Sequence, residues 1–206
     1  MRRLTASPTV TTLAIVAAVF VCQQAAGLVG LTGLFTLSAP FLARPWTIVT
    51  SVYAHAGLSH LFANALALAL GGLLVERLTT PTRFHGFFIA VGALAGVTQV
   101  AVAGLVGPLV PGLPARVSVL GASGAILGLY GYLLGGNRIT ELLVGGVELG
   151  ARLQLALGAV LATGITLLTA SPGAALIAHF TGLLLGFLAG RAHVLSPGGR
   201  GGKPTA

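Results

Sequence analysis

VLGASGAILGLYGYLLGGNR, residues 119–138, is an apolar run too short to cross a membrane. A helix from Ser123 to Leu134 measures about 18 Å at about 1.5 Å per residue, well short of the roughly 30 Å hydrocarbon core. If it ends at the surface near Arg138 it must begin inside the membrane. The segment before it, GPLVPGLPARVS at 107–118, carries three Pro and two Gly and cannot be regular. Irregular backbone at that depth is tolerated only where protein or a water-filled cavity surrounds it. The stretch therefore implies a wet cavity, open on the side opposite Arg138.

The rest of the chain fits a membrane setting. Of 206 residues, 55% are hydrophobic and 7% charged, and the mean hydropathy is +0.99. A soluble domain carries roughly a quarter charged residues, so this chain lacks the polar surface to face water. Eleven Lys plus Arg against three Glu (Glu76, Glu141, Glu148) and no Asp give a net charge of +8. The basic residues stand singly or in pairs between apolar runs and form no one-sided cluster, so the lipid bilayer, and not nucleic acid, is the expected partner. A single cysteine, Cys22, excludes a disulfide framework and a Cys-rich metal site. Arg2 and Arg3 ahead of an apolar run could suggest a secretory signal. The run continues to Leu37 with no small-x-small cleavage site, and Val21 before Cys22 is too large for lipoprotein processing, so the first helix reads as retained.

Apolar runs bounded by charge, Pro or Gly predict six helices, at 11–31, 58–78, 83–106, 123–134, 152–170 and 174–191. The domain layout is then a cytoplasmic N-terminus at 1–10, a six-helix membrane domain at 11–191 and a disordered cytoplasmic tail at 192–206. Between the first two helices, 32–57 is too long for a turn and too apolar for a solvated loop, so it reads as interfacial, with Trp46 at headgroup level. With the N-terminus inside, the inner side collects Arg2, Arg3, Arg77, Arg83, Arg138, Arg152, Arg191, Arg200 and Lys203, and the outer side keeps only Arg44 and Arg116. Nine against two favours that orientation. The abundant glycines, including Gly182, Gly186 and Gly190 spaced by four after Ala178, read as close helix packing.

Five polar residues are costly where they sit: His55, His60, Asn64, Ser123 and His179. Their depths agree. His179 lies 12 residues before Arg191, about 18 Å above the inner boundary, and Ser123 lies 15 residues before Arg138, about 22 Å. His60 and Asn64 open the second helix, also from outside, on one face. With no Asp, an aspartyl protease is excluded. No HExxH motif occurs, and neither a metal nor a cofactor is expected. What remains is Ser123 as nucleophile with His179 as base, a dyad lacking an acid, and Asn64 and His60 as candidate oxyanion donors.

These residues lie in segments that resemble the rhomboid intramembrane serine proteases: WTIVTSVYAHAGLSHLFAN at 46–64, GGLLVER at 71–77, GASG at 121–124 and AHFTGLLLG at 178–186. The resemblance covers about 145 residues, from Arg44 to Arg191. It implies an all-α membrane protein, a six-helix rhomboid-like bundle whose short fourth helix starts inside the membrane. It also implies Ser123 as nucleophile, His179 as its partner, and an oxyanion hole of His60, Asn64 and the Ser123 N–H. His55 and Gly121 take supporting roles. Thr47 stands where the family has Arg after Trp, Leu127 where an aromatic is common, and Thr80 and Ala174 where glycines are usual. The function this implies is endoproteolysis of the transmembrane segments of other membrane proteins, in a prokaryotic cell membrane with the site opening outward. An inactive rhomboid-like protein that binds membrane helices is the alternative. A small transporter subunit is disfavoured by the absence of an inverted repeat and of membrane carboxylates.

Overall fold

The computed structural model describes residues 7–109, 116–136, 153, 156, 159, 160, 162–164 and 175–197. Within them the regular structure is helical: α1 (Pro8–Leu28), α2 (Thr47–Tyr53), α3 (Leu58–Val75), α4 (Pro81–Val106), α5 (Ser123–Gly135) and α6 (Leu176–Arg191). Three helical stretches, Pro8–Leu28, Leu58–Leu78 and Pro81–Leu109, are long and apolar enough to cross a membrane, and α5 and α6 are shorter apolar helices. Most of the expected helix at 152–170 lies outside the described residues; those described within it are helical.

The helix ends follow local chemistry. Ser7 caps α1, its hydroxyl accepting from Val10 N–H at 3.2 Å with Pro8 in the first turn, so the helix starts three residues earlier than the apolar pattern suggests. The Ser7 hydroxyl also donates to Glu76 Oε2 at 2.6 Å, and Thr9 N–H donates to the same oxygen at 3.2 Å. A carboxylate thus sits against the positive end of the α1 dipole. Gly72, one turn before Glu76, lets α3 approach closely: a Cβ there would meet the Thr9 side chain at 2.8 Å. At its other end α1 stops at Leu28, short of the expected Leu31, because Gly30 adopts φ +76°. Gly30 N–H then bonds to Gly27 and Leu31 N–H to Ala26, the paired closure of a left-handed helix stop.

The segment read as interfacial contains a helix that the apolar pattern did not predict, α2, whose β-branched sequence TIVTSVY gives little helical signal. It is held at its start. The Arg44 guanidinium donates to the Gly33 carbonyl at 2.7 Å, and the Thr47 hydroxyl to the Arg44 carbonyl at 2.6 Å. Arg44 and Thr47 together therefore dock this loop, despite the departure from Trp-Arg. Thr80 caps α4 by accepting from Arg83 N–H at 3.4 Å.

α5 lies at the centre, packed chiefly on α6, with α4 against both and α3 on another side. Gly182 and Gly186 of α6 face Gly124 and Gly128 of α5, and Gly131 and Gly135 lie against the Leu183 and Phe187 backbones, so that the two helix backbones touch. A Cβ at Gly182 would run into the Gly124 carbonyl, and one at Gly186 into the Gly128 carbonyl. The long helices instead leave apolar side chains outward, Phe62 at 69% and Leu66 at 64% exposure, a surface suited to lipid. After α6 the chain stays packed through Leu195, which is buried in the core cluster. Arg83 donates to the Ser196 carbonyl. The turn after α6 thus folds back on the core through an apolar residue that follows the helix.

Candidate active site

Ser123 opens α5, and two features of the preceding chain aim it. Leu37 and Val119 form an antiparallel bridge, each N–H donating to the other's carbonyl at 2.9 Å. Gly121 N–H donates to the Ser51 carbonyl at 2.8 Å, which ties this strand-like approach to α2. Gly121 has φ +130°, a conformation that side-chain-bearing residues rarely adopt. The turn between bridge and helix depends on that freedom. As first residue of α5, Ser123 has a backbone N–H without an intrahelical acceptor.

His179 is the fourth residue of α6. The backbone contact between α5 and α6 carries it to Ser123, and His179 Nε2 stands 2.9 Å from Ser123 Oγ. The two residues are 56 apart in sequence. Their meeting is a product of the glycine faces, which let the helix axes approach more closely than larger residues allow.

His60 lies on the other side of Gly121. A Cβ at residue 121 would come within 2.8 Å of His60 Cε1, 3.1 Å of its Nε2 and 3.9 Å of Ser123 Oγ. The absent side chain is what lets the His60 ring stand beside Ser123. Ala56 N–H donates to His60 Nδ1 at 3.5 Å, a long bond that favours the ring proton on Nε2. Asn64 is buried, and its amide donates to the His60 carbonyl at 2.9 Å; the second amide hydrogen is a further donor on the same face. A shallow cleft beside Ser123 is lined by Ser51, Gly96, Val119, Gly121 and Ala175.

His55 does not reach Ser123. It is fully buried, its Nδ1 lies 3.1 Å from the Tyr53 carbonyl, and its ring meets His60 edge-on with centroids 5.0 Å apart. Burial, and secondarily the positive charge His60 can carry, lower its pKa to about 4, opposed by the Tyr53 carbonyl. It is therefore a neutral brace near pH 7. Gln23 of α1 grips the same turn twice, donating to the His55 carbonyl and accepting from its N–H, both at 3.0 Å. Sequence reading passed over Gln23, although an amide inside an apolar helix carries the same cost that singled out Asn64. Among the described residues no cluster of three His, Cys, Asp or Glu is placed to hold a metal ion.

Gly121→Ala is expected to slow any reaction at Ser123 by about 10²-fold, the scale for a small misplacement of reacting groups. It adds about 1–3 kcal/mol of backbone strain. Initial rate per folded molecule, measured beside the melting temperature, separates the two effects. An unchanged rate would show that His60 need not stand where it does.

A family model described as Rhomboid domain matches residues 42–195. RHOMBOID-like protein 5 of Arabidopsis thaliana is 33% identical over 152 residues, covering 74% of this chain and 45% of the relative. The chain spans about half the length of the curated relative it matches.

Proposed function

This chain belongs to the rhomboid family of multi-pass membrane proteins, and on that premise we propose that it is an intramembrane serine endopeptidase with a Ser123–His179 dyad. The observation that carries this reading is the 2.9 Å approach of His179 Nε2 to Ser123 Oγ at the openings of two helices. In this mechanism the neutral His179 ring, protonated on Nδ1, accepts the Ser123 hydroxyl proton on Nε2. Oγ then attacks the carbonyl carbon of the scissile peptide bond. The resulting oxyanion is met by the Ser123 N–H, His60 Nε2–H and an Asn64 amide hydrogen. His179 passes its proton to the departing amine, which leaves Ser123 acylated. A water molecule, deprotonated by His179, cleaves the ester and restores the hydroxyl.

The substrate class follows from the surroundings. A transmembrane segment in lipid satisfies every backbone group internally, so its scissile region must unwind before a carbonyl can reach the cleft. We place six spans in the fold, with the N-terminus in the cytoplasm, the helix at 152–170 among them, and the cleft facing outward. The nine-to-two charge distribution supports this orientation. With Cys22 replaced, single cysteines at Gly112 or Arg116 are expected to react with an impermeant maleimide added to intact cells, and one at Arg138 to stay unlabelled. The reverse pattern would turn the site toward the cytoplasm.

Proteolysis itself is tested by incubating purified protein in detergent with a panel of transmembrane peptides and locating cuts by mass spectrometry. Cuts within or beside the apolar segment, absent with Ser123→Ala, are expected. Binding of the peptides without any cut would favour an inactive helix-binding relative.

A further inference from the structure

α6 begins without a capping residue of its own. Its N-cap position is Ala175, which offers no side-chain acceptor, and the first N–H groups of a helix lack intrahelical partners. The acceptor comes from another helix. Gln99 of α4 takes the N–H of Ile177 at 3.0 Å and that of Ala178 at 3.2 Å on its Oε1. These are the second and third residues of α6, the two positions an ordinary capping side chain serves. His179 follows directly, and its own N–H closes the first turn on the Ala175 carbonyl at 3.0 Å.

The same face of α4 also touches α5. A Cβ at Gly124, the residue after Ser123, would meet Ala95 Cβ at 2.9 Å and the Ala178 carbonyl at 3.5 Å. Ala95 precedes Gln99 by four residues, one turn along the same helix. One turn of α4 therefore sets both the height of the α6 first turn and the seat of the α5 first turn. These two turns carry His179 and Ser123.

We infer that Gln99 is a positioning residue, holding the first turn of α6 so that His179 Nε2 stays within proton-transfer reach of Ser123 Oγ. This rests on the dyad reading above. Gln99 touches neither substrate nor reacting atoms in this role. Its contribution is geometric: with the cap removed, the two amide hydrogens seek other acceptors, the first turn loosens, and His179 loses its fixed distance.

The test compares Gln99→Leu, which keeps volume but removes the acceptor, with Gln99→Glu, which keeps an acceptor oxygen at a helix N-terminus that favours negative charge. Turnover of a transmembrane peptide, the rate of fluorophosphonate labelling at Ser123 and the melting temperature are measured for both and for wild type. Gln99→Leu is expected to lower kcat per folded molecule by about 10- to 100-fold with KM nearly unchanged, since alignment and not substrate binding is lost. Labelling should slow in step, and Gln99→Glu should recover most of the rate. A wild-type kcat in Gln99→Leu would overturn the inference. So would equal impairment of the two variants, or a loss no larger than the loss of folded protein. Wild-type protein without any Ser123-dependent turnover would instead remove the dyad reading itself, and this role with it.

Discussion

Replacing His179 by alanine is expected to abolish turnover while the bundle stays folded. In the proposed dyad Ser123 and His179 act as one unit, because a serine hydroxyl is a poor nucleophile until a base, here Nε2 at 2.9 Å, takes its proton. Losing either member of such a pair costs on the order of 10⁶-fold in kcat, and losing both costs little more. The double variant His179→Ala with Ser123→Ala should therefore be no slower than either single one. Initial rates normalised to folded protein decide the matter. Rates that fall further in the double variant would show that the two residues act separately. Rates close to wild type in His179→Ala would assign the base elsewhere.

Gly186→Ala is expected to be among the most damaging single-methyl additions in the chain, and Gly86→Ala among the most harmless. A Cβ at residue 186 points into the Gly128 carbonyl, a backbone atom of the facing helix that cannot swing aside. A Cβ at residue 86, on α4, meets nothing within 4 Å. Overpacking costs about 1–3 kcal/mol, and a backbone obstacle places Gly186 at the upper end. At about 2–4 °C per kcal/mol for a chain of this size, the melting temperature should drop by about 6–12 °C. Gly86→Ala should leave it unchanged or raised, since Ala replaces Gly in a helix interior with a gain of about 0.5–1 kcal/mol. Similar shifts for the two would mean that α5 and α6 do not meet backbone to backbone. Activity should fall with Gly186→Ala beyond the stability loss, because the same contact carries His179 to Ser123.

What could be read from the sequence was whatever has a one-dimensional signature. The long apolar runs of α1, α3 and α4, the shortness of the Ser123 helix and the glycine spacing of α6 are all visible as composition or period. Helix ends were readable only in part. Gly30 could be seen as a glycine, but not that it would take a left-handed φ and stop α1 at Leu28. Ser7 carries no mark of its partner Glu76, which lies 69 residues away. α2 escaped because seven residues rich in Thr, Ile and Val owe their helix to tertiary support and not to propensity.

The same division runs through the candidate site. Ser123, His60, Asn64 and His179 were singled out by polarity and agreement in depth, and the structure brings Ser123 against His179 and sets His60 beside Gly121. Asn64 is found donating to the His60 carbonyl. Gln23 and Gln99 were missed, although each is an amide in an apolar helix. Their partners are backbone groups of His55, Ile177 and Ala178, which leave no mark in a sequence. Side-chain bonds to side chains can be guessed from residue types. Bonds to backbone appear only once the fold sets the two elements side by side.

The central proposal, that Ser123 is a nucleophile activated by His179, is tested most directly by covalent capture. Purified wild-type protein in detergent is treated with a serine-directed fluorophosphonate, digested and mapped by mass spectrometry, beside Ser123→Ala and His179→Ala. The predicted result is one adduct on Ser123 in the wild type, none in Ser123→Ala and strongly slowed labelling in His179→Ala. An adduct on another residue, equal labelling of His179→Ala, or peptide cleavage that persists in Ser123→Ala would contradict it.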